Sequence, residues 1–235
     1  MNPVGRTERN EPVAWLAIGF LCFIKLALHL SVSHRYGYHG DELYFIECGK
    51  HLAFGYVDHA PMVPWIARLS GSVFGYGLTS LRLLPIIAGA ATIALTALIA
   101  RELGGGRHAQ FIAGLCALVA PAYLVMSAML NIPVFELVYW AICTLLVIRI
   151  VRQDRPKLWL VVGVVAGIGL LNKHTMLLWG VGLAAGLLLT EQRRQLRSVW
   201  PWFGGLLAFV IFLPNLVWQY HHEWATLEFI RNIDS

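Results

Sequence analysis

Between His39 and Pro64 the sequence reads HGDELYFIECGKHLAFGYVDHAPMVP, the longest polar interruption in an otherwise apolar chain. It sets Asp41, Glu42, Glu47 and Asp58 among His39, His51 and His59. Carboxylates interleaved with imidazoles can move protons, orient a base or hold a cation. Asp41 and Glu42 are adjacent, so on a helix or a strand their side chains point in different directions and do not share one proton. One can face a reacting group while the other orients it. On pattern alone Asp41 is better suited to cap a helix beginning at Leu43 than to act as a base. Asp58-His59-Ala60-Pro61 reads as a carboxylate beside an imidazole, able to orient a base or bind a metal. From spacing alone the turn reading, with Asp at its first position, is the favoured one.

Other candidates are scattered. Lys173 lies in the break Leu171-Asn172-Lys173-His174-Thr175, where a lysine can hold a phosphate as a point charge or extend to a membrane interface. Arg82, near the start of an apolar segment, has the same two readings. Lys25 and His29 interrupt the first apolar segment, where ionisable groups face a bundle interior or a polar cavity. His221, His222 and Glu223 are metal-ligand types without a helical HExxH spacing. RELGGGRH (101–108) is a connector, because no GK[ST] follows its glycines.

These residues are carried by a membrane protein. Of 235 residues, 58% are hydrophobic and 13% charged, and mean hydropathy is +0.65. The charged share is about half that of a soluble domain. The net charge of +5 therefore reports topology rather than nucleic-acid binding. The four cysteines show no CxxC and no paired spacing, so neither a disulfide framework nor a zinc–cysteine site is expected. The first apolar run is too long for a signal peptide and is read as a retained helix.

About seven spans are expected: 13–33, 80–100, 109–128, 134–151, 158–171, 175–190 and 200–218. Residues 34–79 form a large loop with a short surface helix after Pro64. Arg6, Arg9, Arg101, Arg107, Arg152, Arg155, Lys157, Arg193, Arg194 and Arg197 then fall on one side, which the positive-inside rule makes cytoplasmic. The acidic loop, Asn131, Lys173 and the C-terminal stretch fall on the other. The fold class is thus an all-α polytopic membrane protein with a large first exterior loop. The chain reads as one transmembrane domain over 1–235.

GDELYFIECGKHLAFGYVDHAPMVPWIARL (40–69) resembles the first exterior loop of the glycosyltransferases with the GT-C fold that use polyprenyl-phosphate sugars. The branch it is most similar to includes protein O-mannosyltransferases and aminoarabinose transferases of lipid A. That branch shows an Asp-Glu pair followed by a DHPP or EKPP motif. Here the pair is Asp41-Glu42, and the second motif carries Ala60 in place of the first proline. GLLNKHTMLL (169–178) resembles the lysine-containing break of the family, and 214–232 a later exterior segment. Members are usually longer, with more spans, so this sequence looks like an N-terminal part.

The resemblance implies inverting transfer of a sugar from a polyprenyl phosphate carrier to an acceptor hydroxyl. The acceptor would be a lipid, a glycan or a protein, reached on the periplasmic side of a bacterial inner membrane. It implies Asp41 as general base supported by Glu42, with Asp58, His59, Lys173 and Arg82 binding substrate. No cofactor is required by the pattern; a divalent metal ion, if one takes part, has Asp58 as its candidate ligand. Two other classes stay open. One is a non-catalytic subunit that binds the lipid carrier. The other is a transporter of lipids or small anions, with Lys25 and His29 on its pathway, although no internal repeat supports it.

Overall fold

The computed structural model describes residues 11–233. The described chain is all helical: α1 (Trp15–Val32), α2 (Gly40–Lys50), α3 (Met62–Phe74), α4 (Leu78–Glu102), α5 (Arg107–Val119), α6 (Pro121–Ser127), α7 (Ile132–Gln153), α8 (Leu158–Asn172), α9 (Met176–Leu189), a 3-10 helix (Glu191–Arg197), α10 (Trp200–His221) and α11 (Ala225–Ile233). Arg6 and Arg9 lie outside the described residues.

All the expected apolar segments are helical, but they are not equal. By length and composition α1, α4, α7 and α10 can each cross a membrane. The expected span over 109–128 is instead a bent pair, α5 and α6, at 63°. Pro121 explains the bend. It supplies no amide hydrogen and fits the first turn of a new helix, so α6 restarts there rather than continuing α5. The apolar helices α8 and α9 have 15 and 14 residues, short of the roughly 20 that a perpendicular span needs. The loop carries α2 and α3, and the basic turn after α9 is a 3-10 helix.

The helices assemble with polar links at both ends. At one end Glu102 closes α4 onto α7: it accepts from Arg149 Nε at 2.9 Å and from Gln153 Nε2 at 3.3 Å. Arg101, Arg107, Arg152 and the 3-10 helix belong to this basic end. At the other end, the loop end, lie α2, α3, the link before Ile132 and the break after Asn172. Between them α8 and α10 pack backbone to backbone. A Cβ on Gly163 would stand 2.1 Å from the Gly204 carbonyl oxygen, and one on Gly204 would stand 2.4 Å from that of Trp159. Small residues four apart, Gly163-Gly167 against Gly204-Ala208, make this approach possible, the usual way that membrane helices find contact. Large apolar side chains face outward over much of the bundle; Leu16 is 92% exposed. That is expected where the surrounding medium is lipid rather than water.

Candidate active site at the loop end

Helix α2 starts two residues earlier than a cap at Asp41 would give. Its N-cap is His39, whose Nδ1 accepts the Asp41 amide at 3.3 Å, and the Glu42 carboxylate reaches back to the His39 amide at 2.9 Å. Asp41 therefore sits inside the first turn. It does not cap a helix from Leu43, because Glu42 three residues after His39 completes a reciprocal box with the N-cap two residues earlier.

The two adjacent carboxylates have opposite surroundings. Glu42 is fully buried. Arg82 Nε donates to its Oε1 at 2.9 Å and Nη2 to its Oε2 at 2.7 Å, while the Leu130 amide donates to Oε1 at 3.1 Å. Burial alone would push the Glu42 carboxyl up. The Arg82 guanidinium and the His39 and Leu130 amides outweigh it and hold the carboxyl below its usual range. Asp41 points the other way: its side chain is 64% exposed, with Oδ2 3.8 Å from His39 Nδ1.

Arg82 is equally committed. Beyond Glu42, Nη1 donates to the Ser33 and Tyr36 carbonyls at 2.6 and 3.3 Å, and Nη2 to the Gly37 carbonyl at 2.8 Å. A guanidinium has five N–H groups, and five contacts are made. The side chain read as a substrate-binding cation thus spends its donors within the chain.

Asp58 lies beside α2. Tyr44, one turn after Asp41, donates its hydroxyl to Asp58 Oδ1 at 2.7 Å. Burial and the Asp58 carboxylate push the Tyr44 phenol above its ordinary range. His59 is buried, with ring centroids of Tyr56, Phe45 and Tyr44 at 4.8, 5.2 and 5.5 Å. Its Nδ1 lies 2.8 Å from the Ala60 carbonyl, an acceptor, so that nitrogen carries the proton. Nε2 is left buried without a hydrogen bond, 3.8 Å from Asp58 Oδ1. Among the described residues no three His, Cys, Asp or Glu side chains gather as a metal-ligand set.

Lys173 caps α8 at the break, where its Nζ is 3.2 Å from Glu136 Oε2 in α7. Thr175 donates to the other Glu136 oxygen. His174 Nε2 meets Asn215 Oδ1 at 3.2 Å, and Asn215 Nδ2 donates to the Phe54 carbonyl at 2.7 Å. The acidic loop is thereby tied to the lysine break through α10. Below the break an apolar groove of about 510 Å³ runs between α8, α9 and α10, with Trp159, Gly163, Gly180, Gly204, Phe209 and Met176 on its walls.

Residues 58–218 match the family described as dolichyl-phosphate-mannose-protein mannosyltransferase. The chain belongs to this mannosyltransferase family. The matched residues begin at Asp58 and include Arg82, Glu136 and Lys173; Asp41 and Glu42 precede them. A lipid A galacturonosyltransferase, RgtD of Rhizobium johnstonii, is 28% identical over 200 residues, covering 82% of this chain and 41% of that protein. The chain thus spans less than half the length of that curated relative. No solved structure matches significantly.

Sequence reasoning missed Tyr44 and Glu136. Glu136 had a signal: a carboxylate in the first turns of an apolar helix, near a lysine at the same depth, needs a counter-ion. Tyr44 had none, because its bond to Asp58 spans a loop whose path the sequence does not give.

Proposed function

We propose that the chain is the transmembrane and loop part of an inverting glycosyltransferase. It would move a sugar from a polyprenyl phosphate to an acceptor hydroxyl. The bundle would lie in a bacterial inner membrane with the basic end cytoplasmic and the loop, 34–79, periplasmic. The observation that carries this reading is the division of labour at Asp41 and Glu42 in a chain of this family. Glu42 anchors the loop to α4, and Asp41 presents a solvated carboxylate from the rigid first turn that results.

In the reaction the acceptor oxygen attacks the anomeric carbon from the face opposite the phosphate. The carbon–oxygen bond to phosphate breaks with its electron pair on the phosphate, and the acceptor proton passes to Asp41. A positioned base of this kind contributes roughly 10²–10⁴-fold. Asp58, held by Tyr44, would accept a hydrogen bond from the acceptor. Lys173 would offset charge on the departing phosphate after exchanging its contact with Glu136. The α8–α9–α10 groove has the apolar lining that an isoprenoid tail needs, and it opens below Lys173.

The test is transfer from a radiolabelled polyprenyl-phosphate sugar in membranes carrying the chain or its Asp41→Asn variant. The expected result is transfer by the parent and a drop of about 10²-fold or more in the variant. Full activity in Asp41→Asn would remove Asp41 as the base.

A further inference from the structure

A second cavity at the loop end, about 280 Å³, lies between the end of α1, the 33–39 link, α4 and the Ala128–Met129 link. Its walls include His29, Ser33, Tyr36, Tyr38, His39 and Arg82. We propose that this cavity seats one neutral sugar ring of the acceptor, which makes the acceptor a saccharide hydroxyl rather than a protein side chain. The proposal rests on the transferase reading above.

Charge argues first. The cation in the wall, Arg82, is neutralised by Glu42 and has its N–H groups occupied. A phosphate or carboxylate entering here would find no free guanidinium donor. The floor is also engaged with the chain: the two ring nitrogens of His29 each lie 3.0 Å from a carbonyl, that of Lys25 and that of Leu124, and Ser33 Oγ donates to the Leu30 carbonyl at 3.0 Å. No N–H of Arg82 or His29 is thus turned toward an entering anion, which favours an uncharged ligand.

The mouth argues next. Tyr36, Tyr38 and His39 place three rings within four residues. Tyr38 is fixed, its hydroxyl donating to the Tyr76 carbonyl at 2.5 Å. Tyr36 is 76% exposed and its hydroxyl has no partner among the described residues. An exposed aromatic beside a cavity offers an apolar face and a polar tip. A pyranose is complementary, with a C–H face for the ring and hydroxyls at its edge. The volume falls just below the ~300 Å³ lower bound of pockets for drug-sized ligands, which suits one ring rather than a peptide strand.

Position completes the case. His39 is a wall of the cavity, and the Asp41 carboxylate stands 3.8 Å from it. A sugar hydroxyl at the mouth would meet the base proposed for the transfer.

Saturation-transfer NMR on the full chain in lipid nanodiscs tests this with methyl β-glucoside and methyl N-acetyl-β-glucosaminide as probes. The expected result is saturation of the sugar ring protons by the parent chain. Tyr36→Ala should weaken binding roughly three- to tenfold, and Ala128→Trp, which fills the cavity, should abolish it. Asp41→Asn should lose transfer while sugar saturation is still detected, so a failure of catalysis is read separately from a failure of sugar binding. No saturation of either sugar, binding unchanged by both cavity variants, or displacement of the sugars by a short serine peptide would each overturn the proposal.

Discussion

Glu42 and Arg82, forty residues apart, meet through two charge-assisted hydrogen bonds of 2.9 and 2.7 Å with almost no exposure of either side chain. The pair fastens the first turn of α2 to the start of α4, and through the Leu130 amide it also fastens α2 to the link before α7. Three segments distant in sequence are held at one point. Two buried charges at the edge of an apolar bundle are tolerated because each is fully hydrogen-bonded.

Removing one partner should therefore be far worse than removing both. Glu42→Leu or Arg82→Met alone leaves an uncompensated group in the interior and should destabilise the loop end by about 3–5 kcal/mol. Glu42→Leu combined with Arg82→Met should recover a large part of that loss. Thermal unfolding of the four proteins in detergent, read as a double-mutant cycle, checks this. Additive losses would mean that the pair acts as two independent anchors.

The same carboxylate gives stability a pH dependence. The folded state holds the Glu42 carboxyl below its ordinary value of 4.5. A depressed carboxyl contributes stability that is fully present above the unfolded value and is lost as pH falls through the folded one. Midpoints of unfolding should hold steady down to about pH 4.5 in this respect and decline below it. The decline should be shallower in the Glu42→Leu, Arg82→Met double variant. An equal acid slope in both proteins would assign the effect to other carboxylates.

Much of this arrangement was readable from the residue string. The helical segments follow from hydrophobic run lengths, and the break around Lys173 follows from a run too long for one helix. The opposite directions of Asp41 and Glu42 follow from chain geometry alone. What was not readable is long-range pairing. Arg82 read as a substrate cation because its partner lies forty positions earlier. Lys173 read as a phosphate-holding or interface lysine because Glu136 is on another helix. The 63° bend at Pro121 and the His39 cap had local signals, a proline inside an apolar run and a Glu three residues after a histidine. The α8–α10 contact had a local signal too, in Gly163-x-x-x-Gly167 and Gly204-x-x-x-Ala208.

That contact leaves no room for a side chain. Gly163→Val or Gly204→Val must separate α8 from α10, because the obstacle to the new Cβ is backbone rather than a flexible side chain. The expected loss is about 1–3 kcal/mol or more. Gly186→Ala in α9, where a Cβ meets nothing within 4 Å, should leave stability level or slightly raised. Heat-induced aggregation of the purified proteins distinguishes the two classes. A tolerated Gly204→Val would show that the helices are not locked at this crossing.

Lys173 and Glu136 set the last expectation, which concerns the donor. The ammonium is 40% exposed and 3.2 Å from a carboxylate that is 15% exposed. A phosphate that reaches Lys173 must compete with Glu136 for the same cation and comes within a few ångströms of its negative charge. Partial exposure screens that repulsion, so removing it should tighten phosphate binding by about fivefold rather than by the large factors of a dry interior. Glu136→Gln should therefore bind a short-chain polyprenyl phosphate more tightly than the parent, and Lys173→Ala more weakly. Both differences should shrink as salt is raised. Equilibrium binding in nanodiscs at two ionic strengths measures this. If Lys173→Ala binds normally, the phosphate lies elsewhere. If Lys173→Ala weakens binding but Glu136→Gln weakens it as well, Glu136 holds the lysine in place for the phosphate instead of competing with it.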